Sequence, residues 1–182
     1  DNLDQRWLMK FLEHDIADKN FLRYISRFLK SGIVENGAIL ESDKGTPQGG
    51  QISPILANVY LHYVLDLWCE RILKQYVRGE IYYVRYADDF LLMFQYEEEA
   101  KRVLELLRTR LAKFGLEVAE DKTRILPIGR FKGTKEDFDF LGFTFFNTKT
   151  RGGKYRLGVR TSKKKQKMKK QAAKAWLKTR LT

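Results

Sequence analysis

The chain has 182 residues and a formal net charge of +12, and its hydrophobic content of 43% excludes a wholly disordered protein. A single cysteine, Cys69, excludes an internal disulfide framework and a multi-cysteine zinc site, and it favours a reducing intracellular compartment. No apolar run approaches the roughly 20 residues of a membrane-spanning helix, and the charged N-terminus does not resemble a secretory signal.

The first half of the chain is predicted to be mainly helical. Apolar residues at helical spacing predict helices over 4–16 and 19–30. Asn36-Gly37, which stands between two short apolar runs, predicts a tight hairpin. A glycine-rich loop follows, and Ser53-Pro54 predicts the start of a helix that continues to about Tyr76, with Ser53 as its cap.

The second half is predicted to contain most of the strands. Two apolar runs within 80–95, divided by Asp88-Asp89, predict a hairpin, and a helix is predicted over about 97–114. Short strands are predicted at 116–119 and 123–128. The segment FDFLGFTFFN predicts one aromatic strand, which pairs with a strand over 154–160. The fold class is therefore α+β, with an antiparallel sheet and helices packed on one face.

The positive charge is concentrated at the C-terminal end of the chain. Residues 140–182 contain 14 basic residues and no acidic residue, whereas residues 1–139 carry a net charge of −2. Such a segment favours nucleic acid as a partner, and an anionic membrane surface is the second choice. A basic helix fits its composition, and a solvated helix or a disordered tail without a dedicated ligand is the simpler alternative.

The strongest chemical signal is the Asp88-Asp89 pair between two apolar runs. At a tight turn both carboxylates can approach one site, where their repulsion calls for a cation. Hard oxygen ligands favour magnesium, which proteins often hold with one or two carboxylates and substrate phosphates. The alternative is a solvated turn, because aspartate is a common turn residue. Arg85 is a lone charge in an apolar strand, predicted to face solvent or a nucleic-acid groove.

A second signal is the loop GTPQGGQ before the helix that starts at Ser53. Its glycines allow the backbone to approach a ligand closely, and Gln48 offers a donor and an acceptor. The loop is not a P-loop, because the Gly-Lys-Ser/Thr ending is missing. A flexible connection between a hairpin and a helix is the alternative interpretation.

Together these motifs resemble those of reverse transcriptases. YADD after a hydrophobic strand, preceded by GTPQGGQISPILANVYL, is similar to the bacterial group II intron reverse transcriptase/maturase group, with retron-type enzymes close by. DNLDQRWLMKFL resembles the helix that follows the family's first catalytic strand. GLEVAEDKTRI resembles a segment that carries a lysine beside the incoming nucleotide. FDFLGFTF resembles the family's primer grip. The resemblance implies a palm over 1–148 and a basic hairpin and helix over 149–182 that leads to the thumb.

The resemblance implies a role for each matched residue in the catalytic centre. Asp88 would bind catalytic magnesium, with Asp89 as a second acid and metal ligand. Lys122 matches the position proposed to protonate the leaving pyrophosphate, although it could equally be an ordinary exposed lysine. The pocket for the incoming nucleotide would be lined by Pro47, Gln48 and Gly49.

Other matched residues would contact the nucleic acid. Ala87 would lie against the primer end, and Leu141 and Gly142 would hold the primer strand. Lys163, Lys164 and Lys165 belong to the basic segment that would contact the template–primer backbone.

In the family, the first metal-binding aspartate lies before the position that Asp1 matches. Asp1 itself corresponds to a later, non-catalytic aspartate. We therefore expect this chain to be a palm-centred fragment that does not polymerise alone. Self-association is possible through an unpaired sheet edge.

The predicted function is RNA-directed DNA polymerisation in the bacterial cytoplasm, at the nucleoid or on RNA. Its partners would be an RNA template, a DNA primer and dNTP, with magnesium as cofactor and no membrane. The main alternative is a non-catalytic maturase module that binds structured intron RNA and aids splicing. Membrane association is a third hypothesis, which only the net charge supports. The same motifs also fit a retron-type enzyme.

Overall fold

The structure is a computed structural model that describes residues 3–30, 33–35, 38–40, 52–130 and 135–180. The chain forms two compact units, Asp1–Arg124 and Ile125–Thr182. Within the described residues, no helix is long and apolar enough to cross a membrane.

Two amphipathic helices open the first unit, as the sequence predicts. Helix α1 spans Gln5–Asp15 and α2 spans Lys19–Lys30. Asp4 caps α1, because its carboxylate accepts a hydrogen bond of 2.8 Å from the backbone N–H of Arg6. The buried residues recur three or four positions apart, which places them on one face of each helix: Leu8, Leu12, Leu22, Ile25 and Leu29.

A continuous helical segment over 53–76 crosses the core, but it is not the regular α-helix that the sequence predicts. It consists of α3 (Ser53–Leu61), two π-helical stretches (His62–Asp66 and Cys69–Leu73) and a short α4 (Lys74–Tyr76). The buried positions Tyr60, Val64, Cys69 and Leu73 are four or five residues apart. The wider π turns keep this longer spacing on the buried side.

The details of this segment agree with the sequence in part. The helix begins at Ser53, so Ser53 is not the cap that the sequence predicts, and Ile52 precedes the helix without a side-chain cap. Pro54 does lie in the first turn. Cys69 is buried, as expected, and burial raises the pKa of its thiol to about 12.

Two antiparallel hairpins belong to the first unit. Strands β1 (Ile33–Glu35) and β2 (Ala38–Leu40) form one, and β3 (Ile81–Tyr86) and β4 (Asp89–Phe94) form the other. Helix α5 follows over Glu97–Lys113. One face of the β3–β4 hairpin packs on the helical core through Ile81, Tyr83, Phe90, Leu92 and Phe94. The other face exposes Tyr82, Val84 and Tyr86.

The predicted strands over 116–119 and 123–128 are wrong, because these residues are irregular. The backbone N–H groups of Lys122 and Thr123 both donate to the carbonyl oxygen of Ala119, which forms a local turn instead of a ladder. Arg108 of α5 also holds this segment, since its guanidinium binds both carboxylate oxygens of Glu120 at 2.9 and 2.8 Å.

The second unit contains a three-stranded antiparallel sheet and one long helix. The strands are β5 (Asp137–Phe140), β6 (Phe143–Lys149) and β7 (Tyr155–Thr161), and α6 spans Lys163–Lys178. The FDFLGFTFFN segment is therefore a hairpin and not a single strand, whereas the predicted hairpin between β6 and β7 is confirmed. The described strands form three small sheets, not the one sheet that was expected.

Tyr60 makes a buried long-range hydrogen bond that we expect to contribute to stability. Its hydroxyl donates to the carbonyl oxygen of Phe114 at 2.7 Å, and its side chain is fully buried. Replacing Tyr60 by Phe should lower the free energy of unfolding by about 1–3 kcal/mol, because the buried carbonyl loses its donor. Urea titration measures this loss. Tyr24→Phe is the matched control, since Tyr24 is exposed and should change stability by less than about 0.5 kcal/mol.

Candidate active site

The Asp88-Asp89 pair lies at the tip of the β3–β4 hairpin, but the turn is shifted by one residue from the predicted one. Tyr86 pairs with Asp89, so Ala87 and Asp88 form the two-residue turn and Asp89 begins β4. Both aspartates are exposed. The structure thus brings Ala87, Asp88 and Asp89 together on one exposed tip.

Ala87 adopts an unusual backbone conformation with φ of 54°. Only two non-glycine residues in the described part of the chain have positive φ, and the second is Leu141 at 52°. Such conformations are unfavourable for residues with a Cβ atom, and they cluster at functional sites. Both residues lie in turns for which the family resemblance predicts contact with the primer.

Arg85 faces inward, which corrects the prediction that it faces solvent or a nucleic-acid groove. Its side chain is only 11% exposed. Its Nε donates to Asp66 Oδ1 at 2.7 Å and one terminal nitrogen donates to Asp66 Oδ2 at 2.6 Å. The other terminal nitrogen donates to Asn58 Oδ1 and to the carbonyl oxygen of Ala87, both at 2.8 Å.

Asp66 is held in its charged form by this network. Burial favours the neutral carboxyl, but hydrogen bonds from Arg85 and from the Tyr83 hydroxyl outweigh burial, so the pKa of Asp66 lies below its ordinary value. The hydrogen bonds to Asp66 also raise the pKa of Arg85. The pair is therefore ionised across the physiological pH range.

The two aspartates at the tip have the donor chemistry that magnesium requires. Among the described residues, neither the Asp88 nor the Asp89 carboxylate forms a hydrogen bond or an ion pair with another side chain. Two free, hard oxygen ligands fit a magnesium ion that also binds substrate phosphates. Within the same described ranges, no group of three or more His, Cys, Asp or Glu side chains is placed to hold a metal ion.

The other predicted residues of the catalytic centre are Lys122, Pro47, Gln48 and Gly49. Lys122 lies in the first unit, on the exposed turn after α5. Its ammonium group has no ion-pair partner among the described residues. Pro47, Gln48 and Gly49 lie outside the described residues.

In the second unit, the structure brings the predicted primer-binding turn next to the basic helix. Leu141 and Gly142, with φ of 52° and 81°, form the turn between β5 and β6. Ser162, which caps α6, donates its backbone N–H to the carbonyl oxygen of Gly142 at 3.0 Å. The φ of 81° favours glycine at residue 142, and the Lys165 side chain lies so close that a Cβ atom there would be 2.6 Å from its Cδ.

Helix α6 is strongly cationic. It carries eight lysines and no acidic residue, and every residue of the helix is exposed. Lys163 and Lys164 stand in its first turn, beside Lys165. The three predicted nucleic-acid-binding lysines therefore lie at the end of the helix that contacts the Leu141-Gly142 turn.

Sequence reasoning missed Asp66 and Asn58, which belong to the hydrogen-bond network of the tip. The alternation along β3 gives only half of the signal for them: it places Arg85 on the face opposite Tyr82, Val84 and Tyr86, and the structure shows that their face is the exposed one. A charge on the inward face needs a partner of opposite sign. Asp66 is the one acid between Ser53 and Cys69, so it was the natural candidate.

A comparison with known protein families gives the same family as the motifs. Residues 1–145 match the family model described as reverse transcriptase (RNA-dependent DNA polymerase). The match includes the hairpin with Asp88 and Asp89, the glycine-rich loop, Lys122 and the Leu141-Gly142 turn.

Individual relatives are intron proteins for the most part. The group II intron-encoded protein LtrA of Lactococcus lactis is 32% identical over 162 residues, which cover 78% of this chain and 26% of LtrA. Protein YkfC of Escherichia coli is 27% identical over 86% of this chain and 47% of its own length. A putative COX1/OXI3 intron 1 protein of Saccharomyces cerevisiae is 25% identical, over 79% of this chain and 22% of the yeast protein. The chain thus spans half or less of each of these relatives.

Proposed function

The chain belongs to the reverse transcriptase family, and from that premise we propose that it forms the palm of an RNA-directed DNA polymerase of the group II intron type. The proposal covers residues 1–148 as the palm and residues 149–182 as a basic hairpin and helix that leads to the thumb. Since the chain spans 26% of LtrA, polymerisation would belong to a longer protein, and the isolated chain would be inactive.

The observation that carries this proposal is the hairpin tip with Asp88 and Asp89. Two exposed carboxylates without protein partners in the described residues are poorly explained by stability, because they repel each other and pair with nothing. Two such carboxylates fit a site in which a metal cation binds together with the substrate. The positive φ of Ala87 at the same tip is typical of a functional turn.

The proposed reaction is attack of a primer 3′-hydroxyl on the α-phosphate of a dNTP paired with an RNA template. Magnesium held by Asp88 and Asp89 would neutralise charge on the attacking and leaving oxygens. Ala87 would pack against the primer end. Lys122 would donate a proton to the leaving pyrophosphate, which typically contributes ~10²–10⁴-fold.

Binding of the substrates would be divided among the remaining residues. Pro47, Gln48 and Gly49 would line the pocket for the incoming dNTP and its template base. Leu141 and Gly142 would hold the primer, and Lys165, which packs on Gly142, would meet the same backbone. Lys163 and Lys164 would extend this contact along α6.

A second role, binding of structured intron RNA to assist splicing, is favoured by the names of the relatives, which include group II intron-encoded and COX1 intron proteins. The two roles are compatible on one protein. Binding of intron RNA would rest on cationic surfaces such as α6 and not on the carboxylates of the tip.

One experiment separates the two roles. The full-length protein that contains this chain is given an RNA template, a DNA primer, dNTP and Mg²⁺, and its binding to group II intron RNA is measured in parallel. We expect extension that depends on Mg²⁺ and on the RNA template. In Asp88→Ala, extension should be lost while binding to intron RNA is kept. Extension that continues without Mg²⁺, or binding without any extension by the wild type, would contradict the polymerase proposal.

The lysines of α6 give a separate prediction. Replacing Lys163, Lys164 and Lys165 together by Gln should weaken template–primer binding and reduce the slope of log affinity against log salt by up to about 3. Each lost phosphate contact removes about 0.9 from this slope for duplex DNA. Anisotropy titrations over a range of KCl concentrations measure it.

The matched control replaces Lys74, Lys101 and Lys113 by Gln. These three substitutions remove the same amount of positive charge outside α6. Lys74 and Lys101 already pair with Glu70 and Glu97. This variant should leave the slope nearly unchanged. Equal slopes for the two triple variants would show that α6 is not a contact surface.

A further inference from the structure

We propose that Arg85 and Asp66 are positioning residues that hold the Ala87-Asp88 turn in its metal-binding geometry. The inference rests on the proposed function, and it concerns two residues to which the matched motifs assign no role. Neither residue would touch the substrate. Both would act through the carbonyl group of Ala87, the residue directly before Asp88.

The guanidinium of Arg85 links the turn to the core of the first unit. Its Nε and one terminal nitrogen form a two-pronged ion pair with Asp66, at 2.7 and 2.6 Å. The remaining terminal nitrogen reaches Ala87 O at 2.8 Å. A planar guanidinium with two prongs on a carboxylate cannot rotate freely, so the direction of its third nitrogen is fixed.

The carboxylate that orients Arg85 stands on a rigid base. Asp66 ends a π-helical stretch whose Val64 and Leu65 are buried. The Tyr83 hydroxyl donates to Asp66 Oδ1 at 2.8 Å, and Asn58 Oδ1 accepts from the same Arg85 nitrogen that holds Ala87. Such π stretches are frequent at functional sites. Here the π stretch ends on the residue that anchors the turn.

The turn needs this support because its conformation is intrinsically unfavourable. Ala87 has φ of 54°, a region that residues with a Cβ atom seldom occupy. Asp88 is exposed and has no partner of its own in the described residues. The Tyr86–Asp89 pair closes the turn, and the hydrogen bond from Arg85 to Ala87 O fixes it from the side of the core; without that bond we expect Asp88 to lose its direction.

A small displacement of Asp88 would have a large kinetic effect. The two metal ions of such sites lie about 3.5–4 Å apart, and a misplacement of about 1 Å can cost ~10²-fold in rate. We therefore expect Arg85→Lys, which keeps the charge but loses the fork, to lower the maximal single-turnover extension rate about 10- to 100-fold. The Mg²⁺ concentration for half-maximal rate should rise several-fold, while the Kd for template–primer should not change.

The test uses the full-length protein and a matched control in the same unit. Arg6 on α1 also pairs with a carboxylate, that of Asp4, at 3.4 Å, and its side chain is 91% exposed. Arg6→Lys should leave the extension rate and its Mg²⁺ dependence within about twofold of wild type. Asn58→Ala is a milder second variant at an exposed position, and it should shift the Mg²⁺ dependence in the same direction by a smaller factor.

The outcomes separate the two proposals. If wild type does not extend primers, the proposed function fails. If wild type extends, Asp88→Ala does not, and Arg85→Lys matches Arg6→Lys in rate and Mg²⁺ dependence, the positioning role is overturned. If Arg85→Lys does not fold, Asn58→Ala decides, and an unchanged Mg²⁺ dependence in that variant overturns the positioning role as well.

Discussion

Replacement of Asp88 by Ala is expected to lower the single-turnover rate of RNA-templated primer extension at least ~10³-fold in the full-length protein. Charge stabilisation by a bound metal contributes several kcal/mol, and each 1.36 kcal/mol corresponds to about tenfold in rate. Asp88 is exposed at the hairpin tip, so the fold should tolerate the change. Rapid-quench measurements on a preformed template–primer complex report the rate directly.

Glu98→Ala provides the matched control for Asp88→Ala. Glu98 is an exposed acid in the first turn of α5, so its removal changes the net charge equally without touching the tip. Its extension rate should stay within about twofold of wild type. A comparable loss in the two variants would show that the carboxylate at residue 88 has no special role.

The largest effect on stability is expected for Leu56→Ala in α3. Leu56 is 2% exposed and belongs to the core of the first unit. Truncation of a buried leucine usually costs about 2–5 kcal/mol, because it combines lost burial with a cavity. We expect this fall in the free energy of unfolding from urea titrations that follow helix content.

The neighbouring residue supplies the control for this prediction. Ile55 is 62% exposed in the same turn of the same helix, and Ile55→Ala should change stability by less than about 0.5 kcal/mol. If both variants were equally destabilised, the burial of α3 described above would be wrong. The contrast tests which face of the helical segment is buried.

Local patterns in the sequence predict the elements that depend on neighbouring residues. The two apolar runs on either side of Asp88-Asp89 predict the β3–β4 hairpin, and the spacing of Leu8, Leu12, Leu22 and Ile25 predicts α1 and α2. These signals are confirmed because a few adjacent residues decide them. The predicted turn is shifted by one residue, because Asp89 belongs to β4 and pairs with Tyr86 of β3.

Features that depend on distant partners were predicted less well. Arg85 finds Asp66 on a helix 19 residues earlier, and no local pattern states that pairing. The residues over 116–128 are apolar enough for strands, yet they have no ladder partner in the described structure and are held by Arg108 instead. The π-helical stretches match the spacing of the buried residues, and this spacing can be seen only in the packed core.

The Leu141-Gly142 turn shows a different reason for error. Leucine is not a turn residue, and its neighbours Phe140 and Phe143 favour strands. The segment therefore looks continuous in sequence. In the structure Leu141 adopts φ of 52°, and the chain reverses between β5 and β6. A local conflict of this kind is expected at functional or strained sites.

The central claim is that the carboxylates of the hairpin tip hold a divalent metal ion. Iron-mediated cleavage tests it most directly: Fe²⁺ replaces Mg²⁺ in the full-length protein with template, non-extendable primer and dNTP, and ascorbate and peroxide then cut the backbone beside the ion. We expect a cut within residues 86–90 that Mg²⁺ suppresses and that Asp88→Ala removes, while Glu98→Ala retains it. Absence of this cut from the wild-type complex, or its persistence in Asp88→Ala, would contradict the account.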